Sequence, residues 1–218
     1  MKKILMVLTN ESKIDEEHET GLWLSEFAEP YSEFKNQGFE VDVASLKGGR
    51  IPLDPNSLDD ELVEKWKGVT KELDQTMVLS QLNVNEYVGI FLPGGHGTMF
   101  DLPESPELQK ALAHFAENNK AIGSVCHGPA GFVGTKLSNG KWLVEGKSLT
   151  AFTNEEEQQT GLDSLMPFLL ETKLREQGAQ FEKSEAWSDH VITDGKFITG
   201  QNPQSSQSAA EAFVKALS

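Results

Sequence analysis

At 218 residues, 38% of them hydrophobic, the chain is long enough to bury a full core as one large domain. The 19 Lys and Arg against 34 Asp and Glu leave a net charge of −15, which argues against nucleic acid and anionic membranes as partners, since both need a basic face. A single cysteine rules out an internal disulfide and suits a reducing, cytoplasmic setting, and no apolar run approaches the ~20 residues of a membrane span.

The first apolar run, Lys3–Leu8, reads as a strand buried on both faces rather than a signal peptide. Residues 21–37 carry Leu22, Phe27, Tyr31 and Phe34 at helical spacing and end at Gly38, with Pro30 expected to kink or divide the helix. A second strand is expected over residues 39–44. Residues 47–82 change texture: Gly48, Gly49, Pro52 and Pro55 lead into polar helical stretches, as in an insertion that caps a site. Tyr87–Leu92 is another apolar strand, followed by Pro93-Gly94-Gly95-His96-Gly97, a helix over 106–118 and the strand Ala121–Val125. Residues 141–150 have the β character of a hairpin, and residues 165–177 read as a helix closing at Gly178. Asp194-Gly195 marks a hairpin within residues 191–200, and a last helix starts at Asn202-Pro203. Alternating strands and helices imply a mostly parallel, doubly wound α/β sheet covered on both faces. Ligands of such sheets bind at the strands' C-terminal ends.

Cys126 follows one of those strands, in Ser124-Val125-Cys126-His127-Gly128-Pro129. A strand, a tight turn and a helix start would put the thiol at the positive end of a helix dipole and beside an imidazole. Both effects favour the nucleophilic thiolate. The alternative is a buried packing cysteine, the commoner fate of a lone Cys. The glycines of the loop 93–97 let backbone N–H groups approach a ligand, and the amides of Gly95 and His127 could together form an oxyanion hole. His96 reads equally well as a site residue or as a loop cap. Thr153-Asn154-Glu155-Glu156-Glu157 places three acids after a strand, one of which could orient His127 while the others decorate a helix N-terminus. Glu26 is, by spacing, indistinguishable from Glu29 or Glu33.

Together, Ser124 to Ala130, Leu92 to Thr98 and the Glu26-x-x-x-Pro30-Tyr31 pattern resemble the DJ-1/PfpI superfamily, which is related to class I glutamine amidotransferases. Gly97 to Asp101, Glu145 to Asn154, and the stretch from Thr193 to Pro203 resemble its heat-shock-protein-31-like branch more closely. The resemblance covers nearly the whole chain and implies a flavodoxin-like fold with a nucleophile elbow. It places the nucleophile on Cys126, its acidic partner on Glu26, the triad histidine on His127 and the triad acid within residues 155–157, here Glu157. Gly94, Gly95 and His96 fall on the oxyanion and substrate side. The branch's cap corresponds to residues 47–82.

The implied activity is a cofactor-independent glyoxalase III, converting methylglyoxal or a similar reactive aldehyde to a 2-hydroxy acid through a Cys hemithioacetal. A chaperone or deglycase function towards unfolded or modified proteins, and a homodimer, accompany it in the branch. The competing readings are a cysteine peptidase or amidase, a non-catalytic holdase and a redox sensor. Some branch members hold a metal; here His18, His96, His114, His127 and His190 are scattered in sequence, so no metal site is expected.

Overall fold

The structure is a computed structural model, and it describes residues 2–217. Nine strands are present among those residues: β1 (Lys3–Leu8), β2 (Glu40–Ser45), β3 (Met77–Val78), β4 (Tyr87–Leu92), β5 (Ala121–Val125), β6 (Ser148–Leu149), β7 (Gln180–Phe181), β8 (Val191–Asp194) and β9 (Phe197–Gly200). Seven helices accompany them: α1 (Leu24–Asn36), α2 (Asp60–Lys65), α3 (Thr98–Asp101), α4 (Pro106–Glu117), α5 (Asn154–Thr160), α6 (Leu170–Glu176) and α7 (Ser206–Ala216). The main sheet runs β3-β2-β1-β4-β5-β9-β8, parallel throughout except for the β8–β9 hairpin at one edge. β6 and β7 form a separate parallel pair.

The apolar strands alternate their side chains between two cores. Leu5, Val7, Ile90 and Leu92 join one cluster with Leu108, Leu112 and Phe115 of α4. Ile4, Met6, Leu8 and Phe91 join the other with Phe27 and Phe34 of α1 and Phe213 of α7. In that second layer the rings of Phe34, Phe91 and Phe213 meet pairwise at 5.3–5.4 Å. Both faces are thus buried, and this is why the strands read as unbroken hydrophobic runs. No helix among the described residues is long and apolar enough to cross a membrane.

Three local expectations are corrected. Pro30 does not divide α1, which is continuous from Leu24 to Asn36; the proline forfeits only the ladder bond to the Glu26 carbonyl four residues back, near the helix start. Residues 141–150 form no hairpin, because β6 pairs in parallel with β7 instead. The helix expected over 165–177 begins only at Leu170. Pro167 forces Met166 into extended backbone (φ −75°, ψ 143°) and ends the preceding 3₁₀ turn there. Residues 47–82 contain α2, several 3₁₀ turns and β3, which completes the sheet edge beside β2.

Candidate active site

Cys126 follows β5 directly, with φ +59°, a left-handed conformation that costs a non-glycine residue about 1–2 kcal/mol. Two backbone bonds pin it there: its N–H donates to the Gly200 carbonyl (3.0 Å) and its carbonyl accepts from the Phe152 N–H (2.9 Å). The turn also requires Gly128, where a Cβ would lie 2.1 Å from the Leu92 carbonyl oxygen. After it comes a single 3₁₀ turn, Gly128–Phe132, rather than the α-helix expected from the sequence.

Glu26, in the first turn of α1, is fully buried. Its Oε2 accepts the Gly94 N–H at 2.6 Å, its Oε1 has no hydrogen-bond partner among the described residues, and the carboxyl interacts with the Cys126 thiol beside it. Burial pushes this carboxyl up to about 8, against the lowering effect of its bonds to Cys126 and Gly94. Burial, followed by the charge of Glu26, also pushes the Cys126 thiol well above its ordinary value. The expected depression of the thiol pKa is therefore reversed in the resting site. The segment after the elbow is a 3₁₀ turn and not an α-helix, and the neighbouring imidazole is neutral, since burial and His96 hold His127 below its ordinary pKa. Near neutral pH Glu26 keeps its proton, so its repulsion of a thiolate is switched off and the pair titrates as a unit.

The triad acid is resolved by α5. Thr153 caps that helix in a capping box with Glu156, Glu155 is exposed, and Glu157 turns inward. Glu157 meets two imidazoles: its Oε2 lies 2.5 Å from His127 Nε2 and its Oε1 lies 2.6 Å from His96 Nε2. Burial opposes the Glu157 charge, but the two histidines, His127 foremost, hold it far below the usual carboxylate range. An ionised carboxylate accepts an N–H from each imidazole, and for the neutral His127 this assigns the single proton to Nε2. The Nδ1 lone pair of His127 then points at Cys126 Sγ, 3.5 Å away.

The glycine loop closes the other side. A Cβ on Gly94 would lie 2.6 Å from Glu26 Oε2, 2.7 Å from the His127 nitrogen and 2.8 Å from the Gly128 nitrogen, so only glycine lets the loop approach the elbow. Gly95 has φ +109° and packs against the Gly21 carbonyl, and its N–H has no partner among the described residues. All seven residues singled out in the sequence thus converge. Sequence reasoning missed Thr98, whose hydroxyl lies 2.8 Å from the Gly95 carbonyl and 2.9 Å from that of His127, tying loop to elbow. It also missed Phe152, stacked 4.2 Å from the His127 ring, and Trp187, which packs edgewise on Phe152 at 5.5 Å. An aromatic directly before a capping threonine gives no sequence signal that its ring covers an imidazole 25 positions earlier.

The histidines are not all scattered: the ring centroids of His96 and His127 are 4.1 Å apart, and with Glu157 they offer three ligand atoms within 4.8 Å of one another. The set does not fit a metal. Ligands at ~2.0–2.2 Å from a tetrahedral zinc stand ~3.3 Å from each other, whereas here each Nε2 is 2.5–2.6 Å from a carboxylate oxygen. As arranged, the carboxylate holds both imidazoles at hydrogen-bond distance.

Comparison with known proteins shows what the chain is similar to. The family model described as DJ-1/PfpI family matches residues 18–216. Glutathione-independent glyoxalase HSP31 of Saccharomyces cerevisiae is 33% identical, with 99% of this chain and 98% of the yeast protein covered. The crystal structure of glyoxalase III from Candida albicans is similar with a TM-score of 0.90 at 31% identity, covering 99% of this chain and 97% of that one. The Rapid Encystment Protein of Francisella tularensis reaches a TM-score of 0.95 at 35% identity, with both chains covered in full.

Proposed function

The chain belongs to the DJ-1/PfpI family, and from that premise and the site geometry we propose that it is a glutathione-independent glyoxalase converting a small 2-oxoaldehyde, such as methylglyoxal, to a 2-hydroxy acid. The observation that carries the reading is a thiol on a strained elbow, 3.5 Å from an imidazole nitrogen that is free to accept its proton, with a protonated carboxyl on its other side.

The Cys126 sulfur adds to the aldehyde carbon while its proton passes by way of His127 Nδ1 to the new oxygen, giving a hemithioacetal. The developing oxyanion is met by the Gly95 N–H and the elbow amides. Neutral His127 then takes the hydrogen from the former aldehyde carbon, and protonated Glu26 donates to the neighbouring carbonyl oxygen, giving an enediol. His127 returns its proton to the second carbon and Glu26 recovers one from the first carbon's hydroxyl. The result is a 2-hydroxy thioester on Cys126, which water hydrolyses. One carbon is oxidised as its neighbour is reduced, so neither glutathione nor a redox cofactor enters. Each proton transfer contributes roughly 10²–10⁴-fold.

Residues 47–82 act as the cap. They reach the site through Leu22, whose N–H donates to the Pro52 carbonyl (2.8 Å) and whose carbonyl accepts from the Asp54 N–H (2.9 Å). A cytoplasmic homodimer with a second, holdase role towards unfolded proteins belongs to the same proposal. A peptidase, which must present its nucleophile to a polypeptide, is disfavoured by a nucleophile only 3% exposed. The test is incubation of purified protein with methylglyoxal in a chelator and without glutathione. Lactate should form with wild type and not with Cys126→Ser. No lactate from wild type, or equal lactate from the variant, overturns the reading.

A further inference from the structure

The site contains two imidazoles on one carboxylate, and the isomerisation uses only one of them. His127 Nδ1 is committed to the sulfur side, 3.5 Å from Sγ, with Phe152 stacked against its ring at 4.2 Å. His96 is anchored through Nε2 to the same Glu157 carboxylate, 2.6 Å away. Nε2 therefore carries the proton of that bond, and Nδ1 has no hydrogen-bond partner among the described residues. His96 also follows Gly95, whose unpaired N–H is the donor placed for the acyl oxygen, on the loop that faces the elbow amides across Gly94.

The reaction proposed above needs a second base at that place. Hydrolysis of the thioester requires a water whose proton is removed as it attacks the acyl carbon. During that step His127 Nδ1 faces the sulfur that must leave, 3.5 Å away, whereas His96 Nδ1 has no other partner among the described residues. Resting on the glyoxalase reading, we propose that His96 is a second catalytic base of this site, dedicated to deacylation. His96 Nδ1 takes a proton from the attacking water and the new C–O bond forms. The tetrahedral intermediate then breaks the C–S bond, and the departing sulfur collects a proton from Glu26. The proton held on His96 restores Glu26 through solvent. The products are the 2-hydroxy acid and the free thiol, and no electrons are exchanged. Glu157 supplies one negative charge for two rings whose centroids are 4.1 Å apart, so it supports one imidazolium at a time. His127 and His96 are thus used in succession, the first for isomerisation and the second for hydrolysis.

The variant that separates this role from mere support is His96→Gln, whose amide N–H can still bond Glu157 but which has no base. Protein is mixed with excess methylglyoxal, quenched in acid, and treated with hydroxylamine, which releases a lactyl thioester as its hydroxamate. Wild type should show lactate turnover and little trapped acyl group. His96→Gln should lose turnover by ~10²-fold or more and accumulate close to one lactyl group per chain on Cys126, while its Cys126 alkylation rate by iodoacetamide stays within about twofold of wild type. Added imidazole should partly restore turnover. Lost turnover without an accumulated thioester, or an alkylation rate that falls in parallel, would reduce His96 to a prop for Glu157 and overturn the proposal, as would unchanged turnover. If wild type itself forms no lactate, it is the glyoxalase reading that fails.

Discussion

Glu26→Gln should make the protein more stable and nearly inactive at once, and the structure gives the size of the effect. The carboxyl is held at about 8, against 4.5 for an ordinary glutamate, because burial disfavours its charge. Between those two values the native state keeps a proton that the unfolded chain has released, so stability falls as pH rises through the window. At about 1.36 kcal/mol per pH unit, the destabilisation reaches ~3 kcal/mol at pH 7 and at most ~5 kcal/mol above pH 8. Glutamine has the same shape and no charge. Its carbonyl can accept the Gly94 N–H and its amide can donate to Cys126 Sγ, so both contacts of the native side chain survive. The variant should match wild type near pH 4.5 and melt roughly 9–17 °C higher at pH 8, using roughly 2–4 °C per kcal/mol for a chain of this size. Lactate formation should fall by roughly 10²–10⁴-fold, since an amide neither gives nor takes the proton. Circular-dichroism melts from pH 4.5 to 9, alongside the lactate assay, test both halves. A melting difference independent of pH would refute the raised carboxyl, and near-wild-type turnover would refute its role as the acid.

Two further outcomes follow from the same geometry. Glu157→Gln keeps one acceptor for two imidazole N–H groups, so one ring must change tautomer; lactate formation should drop by at least ~10²-fold, measured as kcat at saturating methylglyoxal. Gly128→Ala places a methyl group 2.1 Å from the Leu92 carbonyl oxygen and 2.4 Å from Ser124 Oγ. The elbow must move, so the melting temperature should fall by several degrees and Cys126 alkylation should change, whereas Gly140→Ala, which meets nothing within 4 Å, should leave the Cys126 alkylation rate as in wild type.

The fold was legible where local pattern and tertiary role coincide. Lys3–Leu8, Tyr87–Leu92 and Ala121–Val125 are almost wholly apolar because both sheet faces are covered, and Asp194-Gly195 sits at the turn of the β8–β9 hairpin. Legibility failed where a neighbour decided. Ser148–Leu149 pairs with a strand some 30 residues later, which no local hairpin signal can announce. The site was legible at Cys126, His127 and the glycine loop, because a strained turn demands residue types that stand out. Glu26 was not, because what distinguishes it from Glu29 is burial beneath the 93–97 loop. The capping box Thr153-x-x-Glu156 accounts for Glu156 and so narrows the triad acid to its neighbours. The same glutamate also accepts from Trp187, Gln201 and Asn202, and so fastens the strands' C-terminal ends around α5, which a capping pattern does not reveal.

The protonation pattern fits the chemistry better than a permanently ionised thiolate would. A closed, low-dielectric site tolerates one charge well, and that charge resides on Glu157, bound by two N–H donors. Cys126, Glu26 and His127 are neutral around it. An internal redox reaction asks for a base and an acid of opposite starting state that exchange roles and return, with no net charge brought in or expelled. A standing thiolate next to Glu26 would instead place two negative charges in the same buried cleft during every approach of substrate. Generating the nucleophile only as its proton moves to His127 avoids that cost, and leaves the sulfur protonated and only 3% exposed between turnovers. The expected consequence is slow alkylation of Cys126 near neutral pH, accelerating as pH rises, in wild type. Fast labelling at pH 6 would mean that the resting thiol is ionised, and would return the site to the dipole-and-imidazole arrangement expected from the sequence.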